Sequence, residues 1–167
     1  RRARALWSGS PLKVFKAKGR AMNEDYLIRI DGRMEQDGGD DQVQLMTRGS
    51  FLKKNGSFFI SYQESETTGY AGCTTTVKVA QDGRRVAMLR FGPAASQLII
   101  EKGVRHLCHY DTGEGALTLG VAADAISNRL TDEGGEVEFS YTLDADQNSI
   151  LSKNLVKITV RRAGPPA

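Results

Sequence analysis

From Tyr26 onward the chain repeats one pattern, in which a short run of alternating or continuous apolar residues is followed by a turn rich in Gly, Asn or Asp. The period of the alternation is two, as in strands, rather than the 3.6 of an amphipathic helix. Other alternating runs begin at Tyr26 and Val156. The clearest run places Val137, Phe139, Tyr141 and Leu143 on one face and Glu138, Ser140 and Thr142 on the other. These runs predict strands with one buried and one solvated face.

The turns between the runs predict how the strands are connected. Asn55-Gly56 and Asp82-Gly83 are dipeptides that accept positive φ at both central positions of a type I′ hairpin. Further turns are predicted at Lys102-Gly103 and within 92–96, 111–115, 131–136 and 144–149. The segments between turns are too short for helical crossovers, so the sequence predicts antiparallel neighbours.

The predicted fold is all-β, an up-and-down antiparallel meander of about 8 to 10 strands. An open sheet of that size would expose two edges and one apolar face, so we expect it to close into a barrel. Residues 122–130 could be either a helical turn or a bent long strand. The predicted domain spans 22–162, with 163–167 as a disordered tail.

Charge is unevenly distributed along the chain. Residues 1–21 carry seven of the 23 basic residues and no acid, whereas the remaining 146 residues carry 16 basic and 20 acidic side chains. We expect this basic leader to lie outside the native domain rather than to be a basic arm, because the patterned sequence begins only after Met22. An acidic body disfavours nucleic-acid binding. The chain also lacks an apolar run long enough for a bilayer or a signal peptide, so we expect a cytoplasmic protein without membrane association.

The stretch 105–117 contains both histidines and one of the two cysteines. As a strand, it places His106, Cys108 and Tyr110 on one face and His109 on the other. Zinc needs three or four converging ligands, and this strand supplies only His106 and Cys108 to a common side. We therefore predict no metal site, and we assign no catalytic Cys-His pair because alternate side chains diverge from a strand.

A second candidate lies where an apolar face becomes acidic. Tyr62 is followed on the same face by Glu64 and Glu66, which form either a solvated rim or an acid and base pair at a barrel mouth. Arg90 follows two apolar residues on its own face. It could anchor an anionic ligand, but an ion pair with Glu64 or Glu66 is the favoured interpretation, because buried arginines are usually paired.

Several segments resemble a known family. They are "YQE", "RHLCHYDT", "GALTLGV" and "EGGEVEFSYTLD", in this order and at matching spacing between about Tyr26 and Val160. They resemble the YwiB-like family of small bacterial proteins of unknown function. The departure is at 113–115, where the family pattern leads us to expect a proline and a bulkier residue. The resemblance implies a lipocalin-like, calycin-type β-barrel in the cytoplasm and implies no activity or catalytic residue.

The first functional hypothesis is non-enzymatic binding of a small ligand inside the barrel, without a cofactor. Such pockets combine apolar walls with a few fixed polar groups. The alternatives are an enzyme with His106 as base and Glu64 or Glu66 as acid, and a protein- or RNA-interaction module that uses the outer surface; the sequence leaves the oligomeric state open. The candidate lining residues are Tyr62, Glu64, Glu66, Arg90, His106, Cys108, Tyr110 and Thr118.

Overall fold

The structure, a computed structural model, describes residues 24–111 and 115–164. These residues form a closed barrel in which every neighbouring pair of strands is antiparallel, in the order β1-β10-β9-β8-β7-β6-β5-β4-β3-β2. The prediction of a closed up-and-down barrel is confirmed. The strands are β1 (Tyr26–Gln36), β2 (Gly39–Lys54), β3 (Ser57–Gln63), β4 (Thr74–Ala80), β5 (Arg85–Phe91), β6 (Ser96–Glu101), β7 (Arg105–Asp111), β8 (Ala116–Thr131), β9 (Gly134–Asp146) and β10 (Ser149–Arg162).

The barrel has two distinct ends because successive strands run in opposite directions. We call one the long-loop end; there the odd-numbered strands finish, and the connection 64–73 between β3 and β4 lies there. We call the other the hairpin end; it carries the connections 55–56, 81–84, 102–104 and 132–133. A residue near the start of an odd-numbered strand therefore lies toward the hairpin end.

Period-two alternation places the predicted apolar faces in the interior. Ile28 on β1, Leu143 on β9 and Ile158 on β10 are all fully buried. Directly paired residues share a face of the sheet, and Ile28 pairs with Val160 while Ile158 pairs with Val137. The strands predicted from the sequence therefore contribute to one continuous core.

Two predictions about connections had different outcomes. Asn55 and Gly56 both have positive φ, at 52° and 78°, as a type I′ hairpin requires. The prediction for Asp82-Gly83 is wrong, because of these two residues only Gly83 has a positive φ, at 74°. Four residues, 81–84, separate β4 from β5, and the Gly83 N–H closes the turn on the Ala80 carbonyl at 2.9 Å.

The segment 122–130 is a bent strand. β8 runs through it without interruption, and its register with β9 shifts between Ala123 and Ala125. The shift inserts an extra residue into one strand, which bends it as a β-bulge does. The helical alternative for this segment is wrong.

The chain termini were predicted to lie outside the barrel. The basic leader 1–21 falls outside the described residues, as does the end of the predicted tail, 165–167. Ala163 belonged to that predicted tail, but it is buried and its N–H donates to the Asp25 carbonyl at 2.8 Å. Among the described residues, no helix is long and apolar enough to cross a membrane.

Candidate functional site

A cluster of buried polar side chains lies inside the barrel toward the long-loop end. Tyr62 on β3 pairs directly with Thr75 on β4, and Thr75 pairs directly with Arg90 on β5. Because paired residues share a face, the three side chains enter the interior side by side. With Glu64 and Tyr70 from the connection after β3, they form what we call the Arg90 cluster.

Glu64 is the acidic member of this cluster. Its carboxylate accepts hydrogen bonds from the Thr68 hydroxyl at 2.8 Å and from the Thr75 hydroxyl. Its Oε2 lies 3.7 Å from Arg90 Nε, and the two side chains are only 2% and 4% exposed. The structure thus contains the ion pair that the sequence favoured for Arg90, with Glu64 as the partner.

The guanidinium of Arg90 does not hold this carboxylate through a close pair of hydrogen bonds. Nε approaches the Thr75 hydroxyl at 3.4 Å, and Cζ lies 3.8 Å from the centre of the Tyr70 ring. The buried Nη1 has no hydrogen-bond partner among the described residues. An arginine dedicated to a carboxylate usually binds it through two parallel N–H···O bonds, so Glu64 uses only part of this donor fork.

Tyrosines surround the cluster and remain uncharged. Burial raises the pKa of Tyr62, Tyr70 and Tyr141 above the ordinary value, and the neighbouring Glu64 carboxylate raises that of Tyr62 further. The hydroxyl oxygens of Tyr70 and Tyr110 lie 3.4 Å apart. Neutral phenols can both donate and accept hydrogen bonds, so these side chains provide polar contacts without adding charge.

We expect the free energy of unfolding to fall as the pH rises above about 10, the ordinary pKa of tyrosine. Above that pH the unfolded chain loses phenol protons that Tyr62, Tyr70 and Tyr141 keep in the native state, because burial raises their pKa. The native state then binds more protons than the unfolded state, and rising pH favours unfolding. Below that pH the three tyrosines are protonated in both states, so their stabilising contribution to folding is fully present.

Urea titrations on both sides of this pH, followed together with phenolate absorbance, measure the effect. Tyr141→Phe should make the decline shallower, because it removes one of the shifted groups. Phenolate absorbance that develops fully while the protein stays folded would contradict the prediction.

A second polar site lies on the interior face of β10. Asn154 Nδ2 donates to the Ser152 hydroxyl at 3.0 Å and approaches the Tyr141 carbonyl at 3.4 Å. Asn154 is 3% exposed, and its Oδ1 has no hydrogen-bond partner in the described part of the chain. Among the described residues, Asn154 Oδ1 and Arg90 Nη1 are thus two buried polar atoms without a partner in the same interior. Leaving such an atom unpaired is costly.

The inward face of β2 is incompletely buried before Gly49, the residue from which β2 pairs with β3. Thr47, Leu45 and Val43 pair in register with the buried Ile28, Ile30 and Gly32 of β1, so they face inward. All three are nevertheless only partly buried, and Val43 and Leu45 pack against the core. We call this partly exposed inward face of β2, formed by Val43, Leu45 and Thr47, the β2 entrance.

Most of the predicted lining residues lie inside, and two do not. Tyr62, Glu64, Arg90, Cys108 and Tyr110 are buried. Thr118 is exposed because it pairs with the outward-facing His109, whereas its neighbour Leu119 pairs with Cys108 and is buried. Glu66 is exposed because β3 ends at Gln63 and the chain turns through 65–69, so period-two alternation no longer applies to it.

His106 is not brought together with either predicted acid. It is the second residue of β7 and so lies toward the hairpin end, whereas Glu64 follows β3 at the long-loop end. Its Nε2 lies 2.8 Å from Oε1 of Glu101, and its side chain is 28% exposed. The acid and base pair of the enzyme hypothesis is therefore not assembled in this structure.

Cys108 is a buried neighbour of this histidine. Its sulfur accepts a hydrogen bond from the Ile99 N–H at 3.4 Å. Burial raises the pKa of the thiol, which disfavours the nucleophilic thiolate. Among the described residues, no group of three His, Cys, Asp or Glu side chains is placed to hold a metal ion.

Sequence reasoning missed several residues that the structure brings to the site. Asn154 and Ser152 continue the inward face of β10 in steps of two from Val156, so extending the alternation would have found them. Thr68 and Tyr70 lie in an irregular connection, where no periodicity shows which side chains turn inward.

The comparisons with known proteins agree with this architecture. Residues 28–158 match a domain of unknown function, DUF1934. The chain is 23% identical over 116 residues to the uncharacterized beta-barrel protein YwiB of Bacillus subtilis (strain 168), covering 70% of this chain and 79% of that protein. The crystal structure of the ywiB protein from Bacillus subtilis is similar with a TM-score of 0.71 and 21% identity, over 86% of this chain and 96% of that one. The resemblance identified from the sequence is confirmed.

Proposed function

Since the chain belongs to the DUF1934 family, whose function is unknown, we propose from its own interior geometry that it binds a small molecule inside the barrel and leaves it chemically unchanged. The ligand contacts the Arg90 cluster through a carbonyl or carboxylate oxygen. It enters from the long-loop half of the barrel, past the β2 entrance.

The observation that carries this proposal is the unpartnered Nη1 of Arg90. A buried donor N–H without an acceptor is costly, because it has lost the hydrogen bonds that water would make to it. Glu64 offsets the charge but leaves this N–H unused. An oxygen of a ligand placed against Nη1 would satisfy it and would be held by a charge-assisted hydrogen bond.

The walls around this donor also suit a small molecule. Ligand sites are mostly apolar with a few polar groups that fix orientation. Here Leu45 and Val43 of the β2 entrance supply apolar surface, and the neutral phenols of Tyr70 and Tyr141 lie deeper. These phenols and apolar side chains together favour a ligand with a polar head and a compact apolar body.

We expect Arg90→Lys to weaken binding of benzamide and benzoate at least about tenfold, because a hydrogen bond to a charged group contributes about 1.5–3 kcal/mol. Lysine keeps the positive charge near Glu64 but lacks the planar fork that offers Nη1. Ligand-observed NMR titrations with both probes measure the effect, and Arg84→Lys, a change at an exposed arginine, is the matched control.

Native mass spectrometry of the protein purified without denaturation provides an independent readout. The wild-type protein should retain a small molecule that Arg90→Lys loses and Arg84→Lys keeps. Failure of both probes to bind wild-type protein, together with an apo mass, would overturn the proposal, as would equal binding by Arg90→Lys.

A further inference from the structure

We propose that the ligand is an uncharged molecule with both an acceptor and a donor, of the carboxamide type, and that Asn154 Oδ1 receives its N–H. This inference rests on the proposed function and specifies the class of molecule. It is supported by the unpaired Asn154 Oδ1, the second unsatisfied polar atom of the interior, and by the balance of buried charges around it.

Asn154 is built into the wall as a fixed acceptor. Its Nδ2 is occupied by the Ser152 hydroxyl at 3.0 Å and by the Tyr141 carbonyl at 3.4 Å, which orients the amide and leaves Oδ1 toward the interior without a partner among the described residues. Turning the amide over would place Oδ1 against the Tyr141 carbonyl oxygen, which is also an acceptor, so the observed orientation is the favoured one. The site therefore requires a donor from its occupant.

Tyr141 links this acceptor to the Arg90 cluster. It pairs directly with Asn154 across β9 and β10, and it lies close enough to Arg90 for the guanidinium charge to act on its hydroxyl. Tyr141 is thus the described side chain that connects the two groups. In the proposed complex the ligand lies against it, with its carbonyl oxygen on Arg90 and its N–H on Asn154.

The β2 entrance lies two strands away from the same acceptor. Asn154 pairs with Met34 on β1, and two residues away Val156 pairs with Gly32. Gly32 in turn pairs with Val43 of the entrance and contributes no side chain to the interior. Val43 is thus separated from Asn154 by one intervening strand and two residues along β10.

The charge balance favours a neutral ligand over an anion. The buried charged side chains in the described ranges are Glu64, Arg90 and Asp144. Asp144 pairs with Arg105, and Glu64 pairs with Arg90, so the interior carries no net charge from them. A carboxylate would add an uncompensated buried charge and would also place a lone pair against Asn154 Oδ1.

The test compares the affinities of three probes of similar size: benzamide, benzoate and toluene. We expect wild-type protein to bind benzamide about tenfold more tightly than benzoate, and toluene more weakly than either. Asn154→Leu should reduce the preference for benzamide over benzoate severalfold, because it removes the acceptor, and the preference that remains comes from the buried charge that benzoate adds. Gln44→Leu, on the exposed outer face of β2, is the control and should leave the preference unchanged.

A second variant covers the case in which Asn154→Leu does not fold. Asn154→Ala removes the acceptor without adding a charge or a larger side chain, so it should reduce the preference for benzamide over benzoate in the same way.

The outcomes separate this inference from the proposed function. Equal or tighter binding of benzoate, still dependent on Arg90, would overturn the inference and leave the binding function intact, as would a preference for benzamide that both Asn154 variants leave unchanged. Toluene as the tightest probe would contradict both the donor at Arg90 and the acceptor at Asn154.

Discussion

Replacing Arg90 with methionine is expected to lower the free energy of unfolding by about 3–5 kcal/mol, because it leaves a buried carboxylate without its counter-ion. Glu64 is 2% exposed in the native state, so water cannot replace the lost charge. The hydroxyls of Thr68 and Thr75 still donate to it, but neutral donors compensate a buried charge only in part. Urea unfolding of wild-type and variant protein at neutral pH measures the difference.

The double variant Glu64→Gln/Arg90→Met should recover most of this loss. Replacing both members of a buried pair by uncharged groups is often neutral or stabilising by about 1–4 kcal/mol, and the glutamine carbonyl could still accept from the threonines. Arg29→Met is the matched control, since Arg29 pairs with Asp31 at 3.0 Å but is 50% exposed. Its expected cost is below about 1 kcal/mol.

The comparison of the single and double variants can also contradict the ion pair as the cause of the loss. If the double variant is as unstable as the sum of the two single variants, Glu64 and Arg90 do not stabilise each other and the ion pair is not the reason for the loss. A double variant that matches wild-type stability but no longer binds benzamide would separate the two roles of the pair. It would show that the fold does not need these charges and that binding does.

Gly135→Ala is expected to lower the free energy of unfolding by about 2–5 kcal/mol, the sum of backbone strain and a steric clash. Gly135 has a φ of +127°, a conformation that side chains rarely adopt. A methyl group there would collide with the carbonyl oxygen of Arg129 on the neighbouring strand β8. Backbone cannot move aside as a flexible side chain can, so β8 and β9 would have to separate locally.

Gly39→Ala separates the two contributions. Its φ of +139° is similar, but a methyl group would meet no described atom within 4 Å, so it should cost only the strain, about 1–2 kcal/mol. Thermal or urea unfolding of the two variants side by side gives the difference due to close packing. Equal losses would mean that the approach of Arg129 is not limiting.

The all-β architecture could be predicted from the sequence because period-two alternation depends only on local geometry. Successive strand residues point to opposite faces, so Val137 and Phe139 had to share a face whatever the strand packed against. The same rule placed His106, Cys108 and Tyr110 together and led to the prediction that this strand holds no zinc site. It also predicted, from alternation alone, that Tyr62 and Arg90 face inward.

The rule failed where a strand ended. It carried the inward face through Glu66, although β3 ends at Gln63. Thr118 was proposed as a lining residue without this rule, and alternation within β8 turns it outward, because its neighbour Leu119 is buried.

By itself, therefore, the sequence determined the strand content, the antiparallel connections and the faces of the regular strands, because these follow from alternation and turn chemistry within short segments. Only the tertiary structure decided that Glu64 is the partner of Arg90, that Tyr70 covers the guanidinium and that Asn154 Oδ1 is left without a donor among the described residues. Barrel closure brings side chains from distant segments into one interior. Which of their polar atoms are satisfied there depends on distances across that interior, which no local pattern encodes.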